Sequence, residues 1–243
     1  MEPLTMDRMT VARTLTLDCD RVSVREVNTV LQRLPELSEA TVTQPRGRHN
    51  LAVGVPQAIA VTLDGNAGYF VGGLGGARDG SGPDIVVNGF VGWAVGENLM
   101  GGTIRVRGSA SQSAGSSARG GRIFVEGHAS LRAGISLKGG TVAIAGNAGA
   151  MTGFMAQAGT ILIGGNAGHA LGDSLYEAVI YVQGTIASLG ADAVVDEMTD
   201  DDVFAVQRLV EESGFDHIDP DRVTKVASAR QLYHFSTHHH GTY

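Results

Sequence analysis

Apolar and polar residues alternate along most of the chain in short bursts, each closed by a glycine. The bursts read "DIVVNG", "TIRVRG", "RIFVEG", "TVAIAG", "TILIGG" and "VIYVQG". Such alternation of β-branched residues predicts short strands with one buried face. The closing glycines, with an earlier one at Gly65, fall at Gly89, Gly108, Gly127, Gly146, Gly165 and Gly184. From Gly89 onward they are nineteen residues apart. The first step is twenty-four, with a five-residue excess in the polar segment "ARDGSGP" at 77–83. Aligned on these anchors, the residues form columns. Four positions before lie Ile85, Ile104, Ile123, Val142, Ile161 and Ile180; two before lie Val87, Val106, Val125, Ile144, Ile163 and Val182. Two after come mostly alanines, and ten after come Leu99, Ala118, Leu137, Ala156 and Leu175. Stacked coils produce such columns, because parallel strands set equivalent side chains ~4.8 Å apart.

Further glycines divide each period into three short sides; after Gly108 they are Gly115, Gly120 and Gly121. Glycine tolerates the conformations and close approach that corners need. The predicted fold is mainly β: a single-stranded right-handed parallel β-helix of about seven coils over residues 51–192. A hexapeptide helix is the near rival, but nineteen is not a multiple of six. Residues 1–50 suit a small α/β cap. There "SVRE" is a capping box opening an amphipathic helix, between strand-like "TVARTLTLD" and "EATVTQP". Residues 193–243 suit a helical C-terminal segment and tail. Thr199 caps "DDDVFAVQRLVEESG", Gly214 ends it, and Asp219-Pro220 opens a second helix.

The composition narrows the function classes. Thirty-five glycines with only six prolines suit a repeat rather than a disordered linker. A net charge of −7 without a basic stripe argues against nucleic acid or an anionic membrane. The start of the chain has no apolar signal region and no long apolar run follows, so a cytoplasmic protein is expected. A single cysteine, Cys19, cannot form an intramolecular disulfide framework.

Catalytic patterns are sparse. His238, His239 and His240 are consecutive in a polar tail, without neighbouring acids or thiols that would complete a metal site. His169, with Asp173 four residues on, falls in columns of mixed residues and reads as surface; the paired acids Asp173 and Glu177, and Glu97, come once each and do not form the clustered carboxylates that a carbohydrate-active β-helix needs. No catalytic, cofactor-binding or metal-binding residue is assigned. One column does suggest an interaction. Three positions before the anchors lie Val86, Arg105, Phe124, Ala143, Leu162 and Tyr181, pointing outward and mostly apolar. Such a stripe is covered either by a partner or by a terminal segment of the same chain.

Several segments carry a family resemblance: "PRGRHNLAVGV" (45–55), "GENLMGGTIRVRG" (96–108), "GISLKGG" (134–140), "FMAQAG" (154–159), "ALGDSLYEA" (170–178), "SLGAD" (188–192) and "SARQLYHF" (228–235). In order and spacing they resemble the GXGXG β-helix domain of the glutamate synthase large subunit. They are closer still to its stand-alone form, the small subunit of N-methylglutamate synthase. The β-helix subunit of formylmethanofuran dehydrogenase is similar in its repeats but not in the "SARQLY" ending. The resemblance implies a non-catalytic structural subunit between an amidotransferase-type subunit and a synthase subunit that carries FMN and an iron–sulfur cluster. Residue 2 is Glu2 rather than a nucleophilic cysteine, and one Cys19 cannot hold a cluster that wants several thiolates. The interface candidates are Arg46, Arg48, His49, Arg230 and Tyr233 from the matching motifs, and Phe124, Leu162 and Tyr181 from the outward stripe. The "HHHGTY" ending departs from the family pattern.

Overall fold

The computed structural model describes residues 12–231 of the 243-residue chain. Eleven strands form one sheet: β1 (Thr14–Asp18), β2 (Glu39–Thr43), β3 (Ala60–Asp64), β4 (Asp84–Val87), β5 (Thr103–Val106), β6 (Arg122–Val125), β7 (Lys138–Ile144), β8 (Ala158–Ile163), β9 (Val179–Val182), β10 (Ala193–Asp196) and β11 (Thr224–Ser228). The helices are α1 (Val24–Leu31) and α2 (Asp200–Ser213). Strands β1 to β9 follow one another in parallel; β11 then runs antiparallel to β9, with β10 antiparallel outside it. The chain is a β-solenoid of about eight turns. That is one more than the anchor glycines count, because β2 is itself a rung, paired with β3 from Glu39 opposite Ala60.

The columns become ladders. Ile85, Ile104, Ile123, Val142, Ile161 and Ile180 pair rung to rung, and none is more than 1% exposed. Burying each such side chain contributes on the order of 2 kcal/mol. A second ladder of single bridges links Ala67, Val91, Ala110, Ala129, Ala148, Ala167 and Ile186. Leu99, Leu137 and Leu175 fill the third side, all fully buried. The excess at 77–83 leaves the coil as a small loop closed by the Ala77 N–H on the Ser81 carbonyl, 2.8 Å. The register then resumes, with Asp84 opposite Ala60.

The glycines serve two purposes. At an anchor such as Gly108 a Cβ would sit 2.8 Å from the backbone of Gly89 one coil earlier, so the requirement there is close approach. At the corner between the second and third sides, three alternate residues adopt left-handed conformations in seven successive coils. In one of them these are Ser113, Gly115 and Ser117, with φ of 61°, 72° and 54°. Their N–H groups donate alternately forward and back: Ser113 to Leu131, Gly115 to Val95, Ser117 to Ile135, at 2.8–2.9 Å. Left-handed serines are uncommon and strained; the inter-coil bonds offset that strain.

The two ends are closed differently. Ser23 and Glu26 form the expected capping box of α1, whose Val27 and Leu31 are fully buried against the first coils. At the other end α2 runs from its Thr199 cap to a left-handed Gly214, as its sequence predicts. It lies over the outward column: Phe124, Ala143, Leu162 and Tyr181 are buried with Val206, Phe215, Ile218 and Val223. Asp219-Pro220 opens only a 3₁₀ turn, Pro220–Arg222, rather than a second helix. Strand β11 is unanticipated, since "TKVAS" is short and polar; it forms because β9 offers it an open edge.

Asp202 ties these parts together. Its carboxylate accepts from the Tyr181 hydroxyl at 2.6 Å, from Lys225 Nζ at 2.9 Å, and from both the N–H and hydroxyl of Thr199. Burial alone would raise this carboxyl, but the bonds from Thr199, Tyr181 and Lys225 outweigh it and hold it below the usual carboxylate range. A carboxyl lowered in the folded chain stabilises the fold fully above its unfolded value of ~3.9 and progressively less as pH falls toward the folded value. Docking of α2 and β11 should therefore be insensitive to pH between about 5 and 8 on this account, and weaken only below ~3.9. Asp202→Asn should lower stability by roughly 3 kcal/mol and remove that acid-range decline. Urea unfolding followed by circular dichroism across pH reads both; a variant as stable as the parent would refute this role.

Candidate interaction surface

Arg46, Arg48 and His49 lie in the loop that leaves β2. Arg46 pairs with Asp20 at 2.8 Å; Arg48 pairs with the same carboxylate at 3.3 Å and donates to the Gln44 carbonyl at 2.8 Å. The two arginines fasten this loop to the turn before α1. With Arg46 63% exposed, such pairing contributes less than about 1 kcal/mol. His49 begins an aromatic stack. Its ring lies 4.2 Å from Tyr69, and Tyr69 lies 5.2 Å from Trp93, with interplanar angles of 18° and 16°. His49 Nδ1 also accepts the Tyr69 N–H at 2.9 Å. Tyr69, Phe70, Phe90 and Trp93 remain 39–56% exposed.

Tyr69, Phe90 and Trp93 were not among the sequence candidates. The signal was available in the period: Phe90 stands one position after an anchor, Tyr69 and Trp93 four positions after. Along the first of these columns, side chains close backbone bonds to the next coil. Ser109 Oγ accepts the His128 N–H (3.1 Å), His128 Nδ1 the Asn147 N–H (2.9 Å), Asn147 the Asn166 N–H (2.8 Å) and Asn166 the Thr185 N–H (2.9 Å). This wall is therefore rigid, and polar without Asp, Glu, Lys or Arg.

The remaining candidates fall elsewhere. Phe124, Leu162 and Tyr181 are at most 4% exposed beneath α2, so they are not a free face: of the two covers open to the outward stripe, the chain's own C-terminal segment occupies it. Arg230 lies at the far end, beside a shallow polar pocket of about 360 Å³ lined also by Glu177, Asp196 and Lys225. Asp192 orders that end by accepting from Ser228 Oγ, Gln231 N–H and, at its carbonyl, Ala229 N–H, at 2.8–2.9 Å. The motifs "SLGAD" and "SARQ" are thereby coupled. Tyr233 and the triple histidine lie outside the described residues.

Among the described residues the other candidates do not come together as a catalytic constellation. His169 meets Ser188 at 3.4 Å, whereas Asp173 holds Ser174 and the Ala191 N–H. Burial pushes the Cys19 thiol up, which disfavours the reactive thiolate. Among the described residues no three His, Cys, Asp or Glu side chains group as a metal site requires, and no helix is long and apolar enough to cross a membrane.

Trp93 is the chain's one tryptophan, so the stack has its own optical reporter. Tyr69→Ala should shift the tryptophan emission to the red while the fold is retained, and lower stability by about 1 kcal/mol. An unchanged spectrum would mean that the rings do not stack in solution.

Comparison with known proteins places the chain. Over 223 residues it is 48% identical to protein GlxC of Rhizobium meliloti (strain 1021), a match that covers 90% of this chain and 96% of that protein. No protein-family model matches. At that identity over nearly the full length of both proteins, the chain belongs to the family of protein GlxC.

Proposed function

We propose that this chain is a non-catalytic, cytoplasmic structural subunit of a glutamate-synthase-like complex of the N-methylglutamate synthase type. In this reading it bridges an amidotransferase subunit and a synthase subunit that carries FMN and an iron–sulfur cluster. The observation that carries the reading is the uninterrupted ladder of coils, on the order of 40 Å long at ~4.8 Å per turn, with its backbone bonded between coils throughout. Kinship with GlxC, a name in keeping with a glutamate-synthase-like subunit, supports it. Such a rod is stiff because each coil is held by both neighbours. A stiff rod suits two sites that exchange a small nitrogen nucleophile, where misplacement by ~1 Å is costly. Its Arg46–Asp20 loop at one end and its Asp192-ordered segment at the other give it two separate places to be held.

Purification of the tagged chain from its own cells tests this. An amidotransferase and a flavin- and iron–sulfur-containing protein should accompany it, with a yellow-brown absorption. Formyl-transferring partners, or a colourless chain that comes down alone, would overturn the reading. Within the complex, deleting one whole coil, residues 109–127, should leave glutamine hydrolysis and the reductive step individually active but uncouple them. Full coupling after the deletion would refute the spacer role.

A further inference from the structure

We propose that the second wall of the solenoid pairs with the same wall of a second copy of this chain, the two rods lying antiparallel. The wall consists of the four residues after each anchor glycine, from 66–69 through 90–93, 109–112, 128–131, 147–150 and 166–169 to 185–188. None of them is Asp, Glu, Lys or Arg, although these make up 18% of the chain. About five would fall there at that overall share, and more on a solvated surface, so the depletion is a property of the face. The second residue of each rung points into the core, from Ala67 to Ile186. The other positions lie at the surface except Gly68, which is buried beside His49, and among the described residues no helix or strand covers them. Absence of charge together with exposed aromatic rings is the composition of an interface core.

Three features favour a second copy over another occupant. The first is size. Seven rungs with up to three surface positions each fall within the roughly 20–30 residues per side of a stable interface. The second is shape. In the first and fourth columns bulk is concentrated at the N-terminal rungs, in Tyr69, Phe90 and Trp93, while the rungs they would meet carry Ser188, Asn166 and His169. A two-fold axis across the wall at its middle rung sets each bulky rung against a smaller one of the partner, and Leu131, 40% exposed, against itself. Parallel rods would instead stack ring on ring and gape at the far end. The third is electrostatic. Two copies of a chain of net charge −7 repel each other, and a wall without acidic side chains is where they approach with least repulsion. At the rim, Glu126 is already held by Arg105 and Arg107 at 3.5 Å.

This inference does not rest on the glutamate-synthase-like reading, because the isolated full-length chain tests it. Analytical ultracentrifugation at micromolar concentration should give a dimer of 25.2 kDa chains. Leu131→Asp, which opposes two like charges across the axis, should weaken the dimer by about 100-fold or more while the circular dichroism is unchanged. Leu131→Cys should cross-link to its own copy under mild copper–phenanthroline oxidation in air. The parent, whose Cys19 is 4% exposed, and Gln207→Cys on the outer face of α2 should not. A monomeric parent chain would overturn the proposal, whether a partner subunit or a terminal segment then covers the wall. So would a dimer that survives Leu131→Asp without Leu131→Cys cross-linking.

Discussion

Each coil of this protein makes most of its backbone hydrogen bonds to the coils before and after it. That requirement is what the rest of the structure answers to. A buried peptide group without a partner costs more than a hydrogen bond contributes, so a coil cannot change length inside the ladder without stranding its neighbours' groups. The nineteen-residue period follows from this, and so does the handling of the one excess. The extra residues at 77–83 are expelled as a loop that bonds to itself, Ala77 to Ser81, before Asp84 rejoins the register. The left-handed corner residues serve the same end. Turning alternate residues forward and back lets their N–H groups find both neighbouring coils, at a conformational strain that such bonds offset.

A ladder of this kind has two unsatisfied ends, and closing them explains the parts that do not repeat. At the N-terminal end a helix plugs the core with Val27 and Leu31. At the C-terminal end the chain reverses, and β11 with β10 changes the edge of β9 from parallel to antiparallel pairing, which interrupts the template for further stacking. Reversal requires a connection, and α2 is that connection. Its docking accounts for the apolar outward column at Phe124, Ala143, Leu162 and Tyr181, and for Arg105 at the end of that column. The Arg105 guanidinium sits 5.0 Å over the Phe124 ring and donates to the Ser213 and Glu212 carbonyls at the helix C-terminus. A cation there meets the negative end of the helix dipole as well as the ring face.

The repeat, the location of the insertion and both ends of α2 were legible in the sequence because each is enforced locally. A column of isoleucines, a capping box and a left-handed glycine need no tertiary knowledge. Strand β11 was illegible because "TKVAS" has little preference of its own and becomes a strand only against β9. The cover over the outward stripe could not be read either. Phe124, Leu162 and Tyr181 announce that something must bury them, but their spacing suits a partner helix and an internal one equally. The aromatic corner was hidden for another reason. Tyr69, Phe90 and Trp93 come from two coils separated by the insertion, so they align only when the twenty-four-residue step is treated as a nineteen-residue coil with a loop.

With the interior columns committed to the ladder, outward columns are where the chain can differ from coil to coil, and its three walls have diverged. The first wall is covered by α2 over its C-terminal half. The third carries Glu97, Arg119, Lys138, Asp173 and Glu177, an ordinary solvated mixture; burial raises the Glu97 carboxyl. The second carries no Asp, Glu, Lys or Arg from end to end. Solubility favours charge on any wall that faces water, and nothing in the coil geometry forbids it at these positions, since Arg132 and Glu126 stand immediately beside them. A face kept free of Asp, Glu, Lys and Arg over seven coils, with the polar side chains of its first column tied into backbone bonds and its large aromatic side chains gathered at one end, has the features of a surface that leaves water in the assembled state. For a protein whose interior is so uniform, specificity in assembly has to be written on its walls.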